Sequence, residues 1–144
     1  MQTTLEKFKY TDFLNQLDEP LRSAVLSMDS RGIPLDTIGN EIAAQPTFGM
    51  STKGSNNWDQ SIFQKFLHEL ALLICDSPEN ELSKKLTSEA NVTVLVVVSA
   101  ASGIIGDKLG FAASMCTPFI VLAFATILKA GLNTFCSHFK PQGK

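Results

Sequence analysis

The sequence predicts an all-α protein, a small helical bundle with a C-terminal hydrophobic helical hairpin. Three observations predict it. Apolar residues recur at three- to five-residue spacing in several segments, helix-starting and helix-stopping residues bracket those segments, and two long stretches within residues 90–136 are almost free of charge. No second strand pattern exists for the β-branched run Val92 to Val98 to pair with, so that run is read as helix.

In chain order, Leu5, Phe8, Phe13, Leu14 and Leu17 form an amphipathic stripe starting near Thr3 or Thr4 and ended by Asp18-Glu19-Pro20. Pro20 opens a second helix, where its missing N–H costs nothing, with Leu21, Val25, Leu26 and Met28 inward and Gly32 as the stop. Pro34-Leu35-Asp36 enters a short helix carrying Leu35, Ile38 and Ile42 on one side. Gly39 weakens that helix, and Pro46 closes it because the residue before a proline avoids the α region. Residues 46–57 read as a long Gly- and Ser-containing loop.

The clearest helix runs from Trp58 to about Cys75, with Ile62, Phe66, Leu70, Leu73 and Ile74 in one stripe widened by Phe63 and Leu67. Ser77-Pro78 then caps a short polar helix through Leu82 and Leu86. The hairpin follows. Ala90–Gly106 and Leu109–Leu128 are uncharged runs separated by Asp107 and Lys108, and as helices they reach about 25 and 30 Å at 1.5 Å per residue. A bilayer's hydrocarbon core is about 30 Å thick. Ser99, Gly103, Gly106, Asp107, Lys108, Gly110 and Pro118 are expected to set the packing and turn of the two arms, small residues allowing close approach. Pro118 either kinks the second arm or marks its true start, with Thr117 as cap.

The chain divides accordingly into an acidic helical region, 1–88, a hydrophobic hairpin, 89–139, and a tail, 140–144. Residues 1–89 hold eight Lys and Arg against thirteen Asp and Glu, a net charge of −5, whereas residues 90–144 carry a net of +3. An acidic first half and thinly spread lysines in the second give no stripe to neutralise phosphates, which excludes nucleic acid as a partner. Residues 1–20 hold no apolar core segment, so no cleaved signal peptide is expected.

No chemistry announces itself. His68 and His138 lack a ligand or catalytic set, Cys136-Ser137-His138 does not supply a zinc site, and the acids at 76, 79, 81 and 89 match no calcium loop. Cys75, Cys116 and Cys136 lie in or beside apolar runs without a CxxC spacing and read as buried reduced thiols. The expectation is a non-enzyme without cofactor or metal.

Two functional readings follow. The first is a membrane-associated protein, cytoplasmic or at the inner (plasma) membrane with both termini cytoplasmic, whose acidic head binds or senses a partner while the hairpin anchors, oligomerises or perturbs the bilayer. The second is a soluble all-α adaptor or regulatory subunit whose hairpin is the core or a protein interface. A protein partner or a second copy is expected in either. Trp58, Phe48 and Met50 are the partner-binding candidates, an exposed aromatic beside a loop being a common anchor.

Overall fold

The computed structural model describes residues 5, 7–43, 61–76, 82, 86 and 92–138. It is all-α: 80% helix, with no strand among the described residues. The elements are α1 (Tyr10–Leu14), α2 (Leu21–Ser30), α3 (Leu35–Ala43), α4 (Ser61–Ala71) with a π-helical turn at its end (Leu72–Asp76), α5 (Val94–Leu109), α6 (Ala113–Ala130) and α7 (Leu132–His138).

The first stripe does not make one continuous helix from residue 3 or 4. Lys9 is extended, and its N–H donates to Asp12 Oδ2 at 2.9 Å, so α1 starts only at Tyr10. Leu5, Phe13, Leu14 and Leu17 are nevertheless all buried, because the turn between them keeps their side chains on one side. Farther along, α2 begins after Pro20, and the chain leaves it through Gly32 at φ 85°. Leu35, Ile38 and Ile42 of α3 are buried as their spacing requires. Gly39 has a packing role: a Cβ there would meet the Phe63 ring at 2.5 Å, so the missing side chain lets α4 lay an aromatic against the α3 backbone.

The β-branched run is helical. Thr93 caps α5 by accepting from the Val96 N–H at 3.2 Å, and Gly110 ends it at φ 86°. The turn between the arms is therefore Gly110 to Ala112, not Asp107-Lys108. Those two residues lie in the last turn of α5, where Lys108 Nζ sits 3.0 Å from Glu69 Oε1 of α4. Nor does the second arm start at Pro118. The helix begins five residues earlier, and Thr117 Oγ1, rather than capping, donates to the Ala113 carbonyl at 3.0 Å.

α6 is the axis of the molecule. It packs against α1, α3, α4, α5 and α7, and each residue from Phe119 to Ala125 is 0% exposed. Phe124 stacks on Phe13 of α1 at 4.8 Å between ring centroids, and Phe119 on Phe66 of α4 at 5.8 Å. The buried residues form one continuous core drawn from both halves of the sequence, including Leu82 and Leu86. α6 is also the one described helix long and apolar enough to cross a membrane.

Candidate functional site

Two regions of α6 carry the polar groups of the interior. At its start, Gly106 brings the α5 backbone close to the turn, since a Cβ there would lie 2.7 Å from the Phe111 carbonyl oxygen. That carbonyl is held by the turn itself, in which the N–H groups of Gly110 and Phe111 both donate to the Gly106 carbonyl. Ser102, buried, has its hydroxyl 3.4 Å from Thr117 Oγ1 across the two helices and can donate to it, since the Thr117 proton goes to Ala113. Gly103 plays no such part, having nothing within 4 Å of the place a Cβ would take, and Ser99 and Asp107 are exposed. The expected packing residues thus divide: Gly106 and Gly110 build the turn, Pro118 lies half-buried within α6, and Ser99, Gly103 and Asp107 contribute no close approach.

At the other end of α6, about 24 Å along the axis at 1.5 Å per residue, Lys129 meets Asp29 of α2 in an ion pair. Asp29 is 10% exposed and Lys129 40%. Tyr10 of α1 donates its phenol hydrogen to the other oxygen of Asp29 at 2.9 Å, and the Lys129 ammonium stands 5.2 Å from the Tyr10 ring centroid. The hydrogen bond to Asp29 raises the pKa of the Tyr10 phenol, reinforced by burial and by the carboxylate's charge, and the same carboxylate raises that of Lys129. Both groups therefore stay protonated, the phenol neutral and the ammonium charged. Neither is poised as a nucleophile or a base.

Beside this cluster lies a groove of about 410 Å³ between α3, α4, α6 and α7, lined by Pro34, Leu35, Leu67, Thr126, Lys129 and Phe135. A second hollow of about 160 Å³ continues it past Gln64, His68 and Ala71 and shares Leu67 and Phe135. The polar groups of the larger groove have partners in the fold. Asp36 Oδ1 accepts from the Thr37 N–H at 2.9 Å, Thr126 Oγ1 donates to the Leu122 carbonyl at 2.7 Å, and Lys129 is taken by Asp29. What the groove offers a ligand is mostly apolar surface, which suits binding better than bond making. No group of acidic, histidine or cysteine side chains that could hold a metal ion occurs among the described residues.

The cysteines correct an expectation. Cys75, in the π-helical turn, and Cys136, in α7, are joined in a disulfide with a Cα–Cα distance of 5.4 Å. Only Cys116 is a free thiol; it is fully buried, and burial pushes its pKa up to about 11. The pairing joins residues 61 apart and becomes possible because both flank α6, a proximity no local spacing announces. Asp29, Tyr10 and Phe135 gave no sequence signal either. Lys129 did give one, as the single Lys, Arg, Asp or Glu between residues 109 and 139. The partner-binding candidates Trp58, Phe48 and Met50 lie outside the described residues. No protein family, curated protein or solved structure matches this chain.

Proposed function

We propose that this protein is a non-enzymatic all-α binding protein, an adaptor or regulatory subunit, in which a small helical bundle keeps the hydrophobic hairpin of α5 and α6 as its core. One observation carries the reading: seven successive residues of α6, Phe119 to Ala125, have no exposed surface because α1, α3, α4, α5 and α7 surround that helix. A two-helix span leaves most of each helix bare toward lipid, whereas a helix whose apolar middle is covered on every side is what a soluble core needs. The groove beside Lys129 is the surface assigned to a protein partner or to a second copy of the chain. A cytoplasmic location belongs to this reading, with Cys75–Cys136 as a bond made and broken in use, since lasting disulfides are uncommon among reduced cytosolic thiols.

The membrane reading keeps a specific observation of its own. α6 has the length and composition of a span, and α5 exposes Leu95 at 60% beside the half-buried Val94 and Val96. In that reading residues 1–88 form a cytoplasmic head and both termini lie on the cytoplasmic side. Fractionating the expressed full chain with a carbonate wash separates the two. Release as a folded helical species supports the core reading, and sedimentation of that species then distinguishes a monomer from a homo-oligomer. Retention in the membrane pellet, abolished by deleting residues 90–136, sinks the core reading in favour of the span.

A further inference from the structure

α7 is held by a glycine turn at one end and by the disulfide at the other. It follows α6 after Gly131, whose φ of 96° is a backbone state that L side chains rarely adopt, so the chain turns there about a single residue. At seven residues, Leu132–His138 is far too short to persist as a helix without tertiary support. Leu132, next to the turn, is 5% exposed and anchors the near end. The far end is held by Cys136, bonded to Cys75 in the π-helical turn. Between these two points sits Phe135, which lines both the larger groove and the smaller hollow. α7 thus forms one wall of the groove, fixed at one end by a glycine turn and at the other by a disulfide.

The bond is placed where it can be reached. Cys75 and Cys136 are only partly buried, in contrast to Cys116, whose complete burial keeps its thiol protonated and out of exchange. The elements it joins, the π-helical turn and α7, contain none of the stacked aromatics Phe13, Phe66, Phe119 and Phe124.

We propose that α7 is a redox-controlled strap, with Gly131 as its hinge and Cys75–Cys136 as its latch, and that opening the latch releases α7, and with it the Phe135 wall of the groove, baring the apolar surface against which it packs. A dithiol reductant opens it. Attack by one thiolate breaks the Cys75–Cys136 bond and forms a mixed disulfide; the reductant's second sulfur then displaces the protein thiol. In the balance two electrons and two protons pass to Cys75 and Cys136, giving two thiols, and the reductant leaves as its own disulfide. Glutathione disulfide, as oxidant, reverses the exchange. The inference uses the geometry of α7 alone and stands whether or not the groove serves the partner proposed above.

Hydrogen exchange on the full chain, oxidised with glutathione disulfide and then reduced with a phosphine, tests it. Reduction is expected to speed exchange in residues 132–138 by about tenfold or more, as release of a local unit does, while residues 97–105 and 119–125 keep their protection. Fluorescence of anilinonaphthalene sulfonate rises on reduction and falls on reoxidation. Cys136→Ser behaves as the reduced chain without any reductant and no longer responds to one; Cys75→Ser does the same from the other side. Equal exchange of 132–138 in both states would overturn the proposal, because packing alone would then hold α7. Loss of protection across 97–105 and 119–125 in the reduced chain or the variants would overturn it too, because the bond would then be a staple of the whole fold.

Discussion

Glycine is the residue whose meaning differs most from place to place in this chain. At position 39, inside α3, helix propensity alone favours Ala over Gly by about 1 kcal/mol. The Phe63 ring stands 2.5 Å from where the new methyl would be, however, and a buried ring in a packed core gives way at a cost of about 1–3 kcal/mol. Gly39→Ala is therefore expected to lower the urea midpoint. Gly103→Ala, on a face of α5 with nothing within 4 Å, is expected to raise stability by up to about 1 kcal/mol. A raised midpoint for Gly39→Ala would mean that the packing of α3 against α4 is misassigned, and a lowered one for Gly103→Ala that its face of α5 is covered. Ser99, Gly103 and Gly106 were all expected to let the two arms approach, since small residues look alike in a string. Of these three only Gly106 stands where a side chain would collide, and what decides that is the path of Phe111 after the turn, which no helical spacing encodes.

Elements here are joined at their ends by charges as well as along their faces by apolar contact. Asp29 gathers α1, α2 and α6 through Tyr10 and Lys129, and the alkaline limb of stability follows from it. In the unfolded chain the two groups titrate near their ordinary values, 10.0 and 10.5, and in the fold both values are raised, chiefly by the hydrogen bond to Asp29. Between the lower and higher values the folded state holds protons that the unfolded state has lost. The stability they contribute is complete below about pH 10 and drains as pH rises through the folded values. The midpoint of thermal unfolding is expected to fall above pH 10, and to fall less steeply in Asp29→Asn, where the group that raises both values is gone. An identical alkaline slope in the two proteins would remove the cluster from any role in holding α1 and α2 to α6. The apolar faces of α2 and α3 were legible in their spacing, as were the start of α2 after Pro20 and its end at Gly32. The break at Lys9 was less so, depending on an Asp12 side chain turned back to the backbone, and the place of Lys108 depended on Glu69, thirty-nine residues away.

At the scale of the molecule, the charge contrast between the two halves of the sequence is a matter of complementarity. Lys108, expected in the turn of the hairpin, and Lys129 each have an acidic partner in the first half, Glu69 and Asp29. Hydropathy cannot separate a span from a core helix, because lipid and a covering of Phe and Leu are equally apolar; the covering itself is the discriminating fact. Phe13 is the residue on which to test it. Its ring stacks on Phe124 near the middle of α6 and is fully buried. Phe13→Asp places a carboxylate against the centre of that helix without a partner, which costs at least the roughly 3–5 kcal/mol of losing a buried Phe plus the desolvation of the charge. With α6 as the common core, the variant is expected to lose its cooperative unfolding transition and to expose α5 and α6 together. Phe13→Leu, which keeps an apolar side chain, is expected to retain that transition with a smaller loss of stability. If α6 crosses a bilayer instead, α1 never touches its centre, and Phe13→Asp leaves both membrane retention and the protection of residues 94–130 as they are in the parent chain.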